Sequence, residues 1–168
     1  MTARDPHESA DDALRRRLLR RTVELAAENV TSGRGGPFGA LVARGGEVLA
    51  EAVNGVTAGN DPTAHAEIEA IRGACRRLGT FELRGCELYA SCEPCPMCLG
   101  AAYWARLDRI WFAAGRDDAA RAGFSDADIY REIALPPTDR TVPARALPLD
   151  DALAPFTAWA AEPDKVPY

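Results

Sequence analysis

Asp61-Pro62-Thr63-Ala64-His65-Ala66-Glu67, followed downstream by Pro94-Cys95-Pro96-Met97-Cys98, sets a histidine, a carboxylate and a C-x-x-C pair at two expected helix starts. Asp61 offers a capping side chain and Pro62 a first-position proline, so a helix is expected from there to about Leu78, stopped by Gly79. His65 and Glu67 then fall in its first turn. Residues two apart leave a regular helix on different sides, but near an N-terminus both can still reach one shared point. Pro96 suits the first position of a second helix and puts Cys98 in its first turn, where the helix dipole and free N–H groups favour a thiolate.

One imidazole and two thiolates suit tetrahedral zinc, and three protein ligands leave the fourth position open, as in catalytic rather than structural sites. Zinc lowers the pKa of a bound water to about 7, which provides a nucleophile at neutral pH. Glu67 is then placed to move protons rather than to complete the ligand shell. Taken alone, His65 reads as a capping or core histidine, and Cys95 with Cys98 as a redox pair. Together, at two helix starts and with Glu67 at its offset, they read as a zinc hydrolase. Cys92-Glu93-Pro94-Cys95 is a competing C-x-x-C. The proline after Cys95 favours Cys95 and Cys98 as ligands and leaves Cys92 just before the turn without metal.

Working outward, Leu14, Leu18, Leu25 and Val30 follow a helical period over about 11–29, ended by Gly33-Arg34-Gly35-Gly36. Residues 1–10 are polar and expected to be loose. Strands are expected at 39–44 and 47–53, joined at Gly45-Gly46, with Asn54-Gly55 at the end of the second. Further strands are expected at 86–90, 107–113 and 142–147, and helices at 96–106, 126–133 and 150–161. The order α-β-β-α-β-α-β-(α)-β-α favours a sheet covered by helices on both faces. Residues 1–161 form a single domain on this reading, and 162–168 an extended tail. Ligands in such folds collect at the carboxyl ends of strands, beside helix N-termini. Both motifs occupy such junctions.

Composition narrows the function classes. At 168 residues, 47% hydrophobic and 27% charged, the chain matches one globular domain. No apolar run approaches the ~20 residues of a membrane-spanning helix, and the first ten residues lack the apolar core of a signal peptide, so a cytoplasmic location is expected. Five cysteines, an odd number, argue against a disulfide framework. Cys75 and Cys86 read as small buried hydrophobes. A net charge of −5 argues against a long polyanion as partner. Arg15-Arg16-Arg17 with Arg20 and Arg21 reads as a solvated helix face balanced by Asp11, Asp12 and Glu24.

The H-x-E and P-C-x-x-C motifs match the known signature of zinc nucleobase deaminases. Over nearly its full length the chain resembles the cytidine deaminase-like superfamily, and within it the bacterial guanine deaminases. Gly35 to Ala40, Asn60 to Glu67 and Ser91 to Gly100 carry the broad resemblance, which extends to tRNA adenosine deaminases. Tyr103 to Arg106, Ala122-Gly123-Phe124, Asp126 and the terminal Tyr168 carry the narrower one. The resemblance implies an α/β fold, a three-layer α-β-α sandwich with a central mixed five-stranded sheet, and one zinc ion per chain. It also implies roles: the side-chain amide of Asn54 and the backbone N–H of Ala66 meet the base, and Phe38 and Trp104 line a flat pocket. Asp126 accepts from substrate N–H groups, and Tyr168 closes the site. Gly55 departs from the resemblance, standing where a second polar residue is frequent.

The activity implied is hydrolysis of guanine to xanthine and ammonia, a reaction on a small neutral base that needs no basic groove. Guanosine or a related aminopurine or triazine is the alternative. tRNA adenosine deamination fits the core motifs but not the acidic balance. A non-catalytic zinc-stabilised binding protein is disfavoured by Glu67 and by the three-ligand count. Pro163 and Pro167 favour an extended tail, and the resemblance implies a homodimer in which the tails are exchanged, Tyr168 of one chain capping the site of the other.

Overall fold

The computed structural model describes residues 9–124 and 126–168. It forms two compact units, one reaching to Ala127 and one from Asp128 to Tyr168. Of the N-terminal residues expected to be loose, 1–8 lie outside the described residues, whereas Ser9 and Ala10 are ordered as the cap and first residue of a helix. Ser9 caps the first helix, its Oγ accepting from the Asp12 N–H at 3.1 Å.

In the first unit, helix α1 (Ala10–Thr31) leads into the hairpin β1 (Gly39–Arg44) and β2 (Glu47–Val53). A short helix α2 (Val56–Gly59) precedes α3 (Ala66–Leu78), and β3 (Glu87–Cys92), α4 (Pro96–Trp104), β4 (Arg109–Ala114) and α5 (Arg116–Arg121) follow. The hairpin closes where expected because Gly45 and Gly46 adopt φ of +56° and +86°, a left-handed turn that suits the strand twist.

The strands lie in the order β2-β1-β3-β4, with β1 antiparallel to both neighbours and β3 parallel to β4. Period-two alternation sorts β1 between two cores. Ala40 and Val42 join α3 residues Ala70, Ile71 and Ala74, together with Leu88, on one face. Leu41 and Ala43 meet Leu18 of α1 and Tyr89 on the other. Burying one leucine completely, as at Leu41 and Leu88, contributes about 1.5–3 kcal/mol. The result is an α-β-α layering around a mixed sheet.

Among the described residues that sheet has four strands rather than the expected five. The expected strand at 142–147 is irregular and exposed chain. Pro143 stands inside it and Pro148 follows it, neither supplying a ladder donor, and its Ala144 N–H goes to the Pro137 carbonyl at 2.9 Å. The helix carrying His65 also starts later than expected, at Ala66. Asp61 closes a local turn instead, its Oδ1 accepting from the N–H and the hydroxyl of Thr63 at 2.7 Å each.

The second unit contains most of α6 (Asp126–Ala134), a 3-10 turn at Pro137–Asp139 and α7 (Ala154–Ala161). Arg140 donates to the carbonyls of Leu135 and Ile133 at 3.1 Å each and so ends α6. Lys165 does the same for α7 through the Ala160 carbonyl at 2.6 Å. No helix among the described residues is long and apolar enough to cross a membrane.

Candidate active site

His65 and Cys95 are the N-cap residues of α3 and α4, both with extended backbone, at ψ 151° and 168°. Neither side chain caps its own helix. Both turn instead toward Cys98 in the first turn of α4, where Pro96 occupies the opening position as the sequence predicts. His65 Nδ1, Cys95 Sγ and Cys98 Sγ form a triangle with three 3.5 Å edges. A tetrahedral ion with bonds of about 2.3 Å to sulfur and about 2.0 Å to nitrogen sets its ligand atoms roughly 3.5–3.8 Å apart. The triangle fits one zinc ion. Among the described residues this is the group of side chains suited to a metal.

The electrostatics suit a cation at that point. The Cys98 thiol, hydrogen-bonding to Cys95, brings the Cys95 thiol down to about 4, with His65 adding to the effect, while the same contact pushes Cys98 upward. The hydrogen bond with Cys95 raises His65 against the opposing effect of burial. The protons held on these donors are what a divalent ion would displace. Cys92 ends β3 with its Sγ toward the Gly115 carbonyl at 3.6 Å, outside the triangle, and burial pushes it up to about 11.

Beside the triangle lies a pocket of about 260 Å³, entirely within the first unit. Glu67, only 6% exposed, reaches it from the first turn of α3. Burial raises the Glu67 carboxyl, and its own backbone N–H partly offsets this. A carboxyl biased toward holding a proton suits acid and base duty in turn. Asp126, the first residue of α6, also lines the pocket and is raised, first by burial and then by the charge on Cys95. Phe38 and Phe124 meet edge to face in its wall, ring centres 4.7 Å apart.

Asn54 is buried where β2 gives way to α2. Its Oδ1 accepts from the Val56 N–H at 3.2 Å, which fixes the amide plane. Among the described residues nothing takes the two Nδ2 hydrogens. Ala66 opens α3, fully buried, and its N–H is among those that a helix leaves without an internal acceptor.

Two expected site residues do not join this group. Trp104, at the last position of α4, is 64% exposed and does not line the pocket. The end of a helix that enters the site with its N-terminus is carried away from it by the helix's own length. Tyr168 belongs to the second unit, 74% exposed, with its ring 6.5 Å from that of Trp159.

The structure adds three residues that carried no expected role. Phe124 and Glu93 line the pocket. Glu93 is held by Arg116 through its guanidinium and its backbone N–H, so its carboxyl stays below the ordinary range. Asn29 of α1 is wholly buried and donates from Nδ2 to the carbonyls of Gly36 and Asn54 at 3.0 and 2.9 Å. Its Oδ1 is buried without a partner, which costs about 1–3 kcal/mol. A signal was available: Asn29 continues the buried face of α1 four residues after Leu25.

The fold, the H-x-E and P-C-x-x-C pairing and the ligand triangle define a zinc-dependent deaminase. The chain belongs to the family described as the cytidine and deoxycytidylate deaminase zinc-binding region, whose model matches residues 13–114. Among its relatives, a guanine deaminase from Bacillus subtilis is 53% identical over 90% of this chain and 97% of that protein. The X-ray structure of guanine deaminase from Bacillus subtilis aligns with a TM-score of 0.89 at 52% identity, over 91% of this chain and 98% of that one. A guanine deaminase structure from Nitrosomonas europaea aligns at 0.61 and 35% identity, over 65% and 63% of the two chains. A tRNA-specific adenosine deaminase from Aquifex aeolicus is 49% identical, but over 46% of this chain and 52% of that protein.

Proposed function

We propose that this chain hydrolyses guanine to xanthine and ammonia. The observation that carries the reading is the pocket itself. One narrow space brings together a proton-handling carboxylate, a zinc ligand set, a side-chain amide and a second carboxylate beside a pair of phenylalanine rings. Its volume falls below the roughly 300–1,000 Å³ typical of sites for drug-sized ligands, which favours a free base over a nucleoside. The likeness to guanine deaminases spans nearly the whole chain, whereas the match to the tRNA enzyme stops at about half of it.

When bound at His65, Cys95 and Cys98, zinc supplies Lewis-acid activation of water. Glu67 takes the proton from the attacking water, passes it to the ring nitrogen beside the attacked carbon, and delivers a proton to the departing amine. The new bond is carbon to oxygen, the broken one carbon to the amino nitrogen, and water provides the balance. The Asn54 amide donates to the base, Asp126 accepts from its N–H groups, and the Ala66 N–H adds a donor. Phe38, with Phe124, holds the ring flat. Ammonia release by zinc-loaded protein, measured over a panel of guanine, guanosine, other aminopurines, triazines and adenosine-containing RNA, tests the reading. Release from guanine above all others is expected; preference for any other member overturns it.

We further propose a homodimer in which C-terminal segments are exchanged and Tyr168 closes the partner's site, Trp104 taking its place against the base only in that assembly. Support comes from exposure. All eight residues of α7 are exposed, Phe156 at 70%, and Leu147, Leu149 and Leu153 beside it are exposed as well. A helix this short gains little stability on its own in water, and exposed apolar clusters mark interaction surfaces. On this reading residues 1–161 act as one deaminase domain and 162–168 as the exchanged tail. Five free thiols suit a reducing compartment, and the activity is assigned to the cytoplasm.

A further inference from the structure

We infer that Asn29, which touches no substrate, is the positioning residue for base recognition, holding Asn54 in register from behind; the inference rests on the guanine reading above. Its amide lies at the crossing of the two segments that frame the pocket, the glycine loop entering β1 and the turn leaving β2. One Nδ2 hydrogen bonds to Gly36 and one to Asn54, both at carbonyls, and both residues line the pocket. The Asn54 backbone is thus held at each end, its N–H by the Phe38 carbonyl at 3.0 Å and its carbonyl by Asn29. Its side chain is held separately by the Val56 N–H. With the amide plane set by these three bonds, the Asn54 Nδ2 group has one orientation to offer a base.

Two features separate this role from ordinary packing. A wholly buried side chain whose Oδ1 has no partner is a poor choice for packing, since an apolar group of similar size would avoid the unmet acceptor. What an apolar group cannot do is join two carbonyls. Gly35 shows the same constraint from the other side. A Cβ there would lie 2.3 Å from the Asn54 carbonyl oxygen and 2.9 Å from Asn29 Nδ2, so the loop must be bare for the bridge to close.

The test uses Asn29→Ala and Gly35→Ala in the zinc-loaded protein, with zinc content and unfolding midpoint as controls. Each should raise KM for guanine about tenfold, with kcat changing less than about threefold. In an Asn54→Ala background, Asn29→Ala should add nothing further to KM, because the group it positions is gone. A KM within about twofold of the parent, or the same rise with and without Asn54, overturns the inference. If one variant fails to fold, the other carries the test. The side-chain amide resonance of Asn54, identified by its loss in Asn54→Ala, gives a readout independent of substrate. It should move in both variants, and an unmoved resonance overturns the inference. Should the parent release no ammonia from guanine, the functional reading falls, while that resonance still decides the role of Asn29.

Discussion

Glu67→Gln replaces the carboxylate by an amide of the same shape, so fold and zinc should persist while proton delivery fails. Turnover should fall by at least the 10²-fold typical of a general acid–base residue; near-normal turnover would remove Glu67 from the chemistry. The metal ligands separate in the same way. Metal analysis should show large zinc loss in Cys98→Ser and retention in Cys92→Ser, because Cys92 Sγ faces the Gly115 carbonyl rather than the triangle. Asp126→Asn should weaken guanine turnover by about 1–3 kcal/mol in transition-state terms while leaving zinc in place. A carboxylate facing substrate N–H groups would become half donor. Unchanged kinetics would return Asp126 to a helix-start role.

At the scale of elements, the site is a meeting of helix N-termini at one end of the strands of a small sheet. The N-caps of α3 and α4 give up capping their own helices and supply metal ligands instead, so local stability is exchanged for a ligand set. The hairpin turn at Gly45-Gly46 lies at the ends of β1 and β2 away from the pocket, so it separates stability from chemistry. Gly46→Ala places a side chain at φ +86° with its Cβ 2.9 Å from Leu14 Cδ2. It should cost about 1–2 kcal/mol of stability, read as a lower unfolding midpoint, with zinc content and KM for guanine unchanged. A shift in KM would mean that the hairpin sets the pocket as well as the fold.

For the whole molecule, the exchanged dimer has a direct complementation test. Deleting the last few residues should leave zinc and folding intact but lower activity, since water is no longer excluded around the base. Mixing this variant with Glu67→Gln chains should restore activity, because one site in each mixed dimer then combines an intact Glu67 with an intact tail. No recovery in confirmed mixed dimers would mean that the tail closes its own site or none. The exposed α7 and the leucines before it should also become protected in hydrogen exchange on dimer formation.

The local chemistry was legible in the chain itself. Cap residues, glycine turns and the period of Leu18 and Leu25 act through near neighbours, so helix α1, the β1–β2 hairpin and the start of α4 follow from short-range rules. The metal set was legible too, because donor type and first-turn placement belong to the residues of two short motifs. What the sequence left open is whatever depends on which segments meet. The fifth strand at 142–147 had suitable residues, but a strand exists only with a neighbour to bond, and none of the described residues pairs with it. Asp61 could cap a helix or close a turn with equal chemistry, and the backbone path into His65 selected the turn. Trp104 carried the right side chain on a helix whose direction takes it away from the pocket. The place of Asn29 on the buried face of α1 was legible, but not its partners, because Gly36 and Asn54 come from other parts of the chain to accept its two hydrogens. Bonds between residues far apart in sequence have no local signature, so only the folded arrangement decides them.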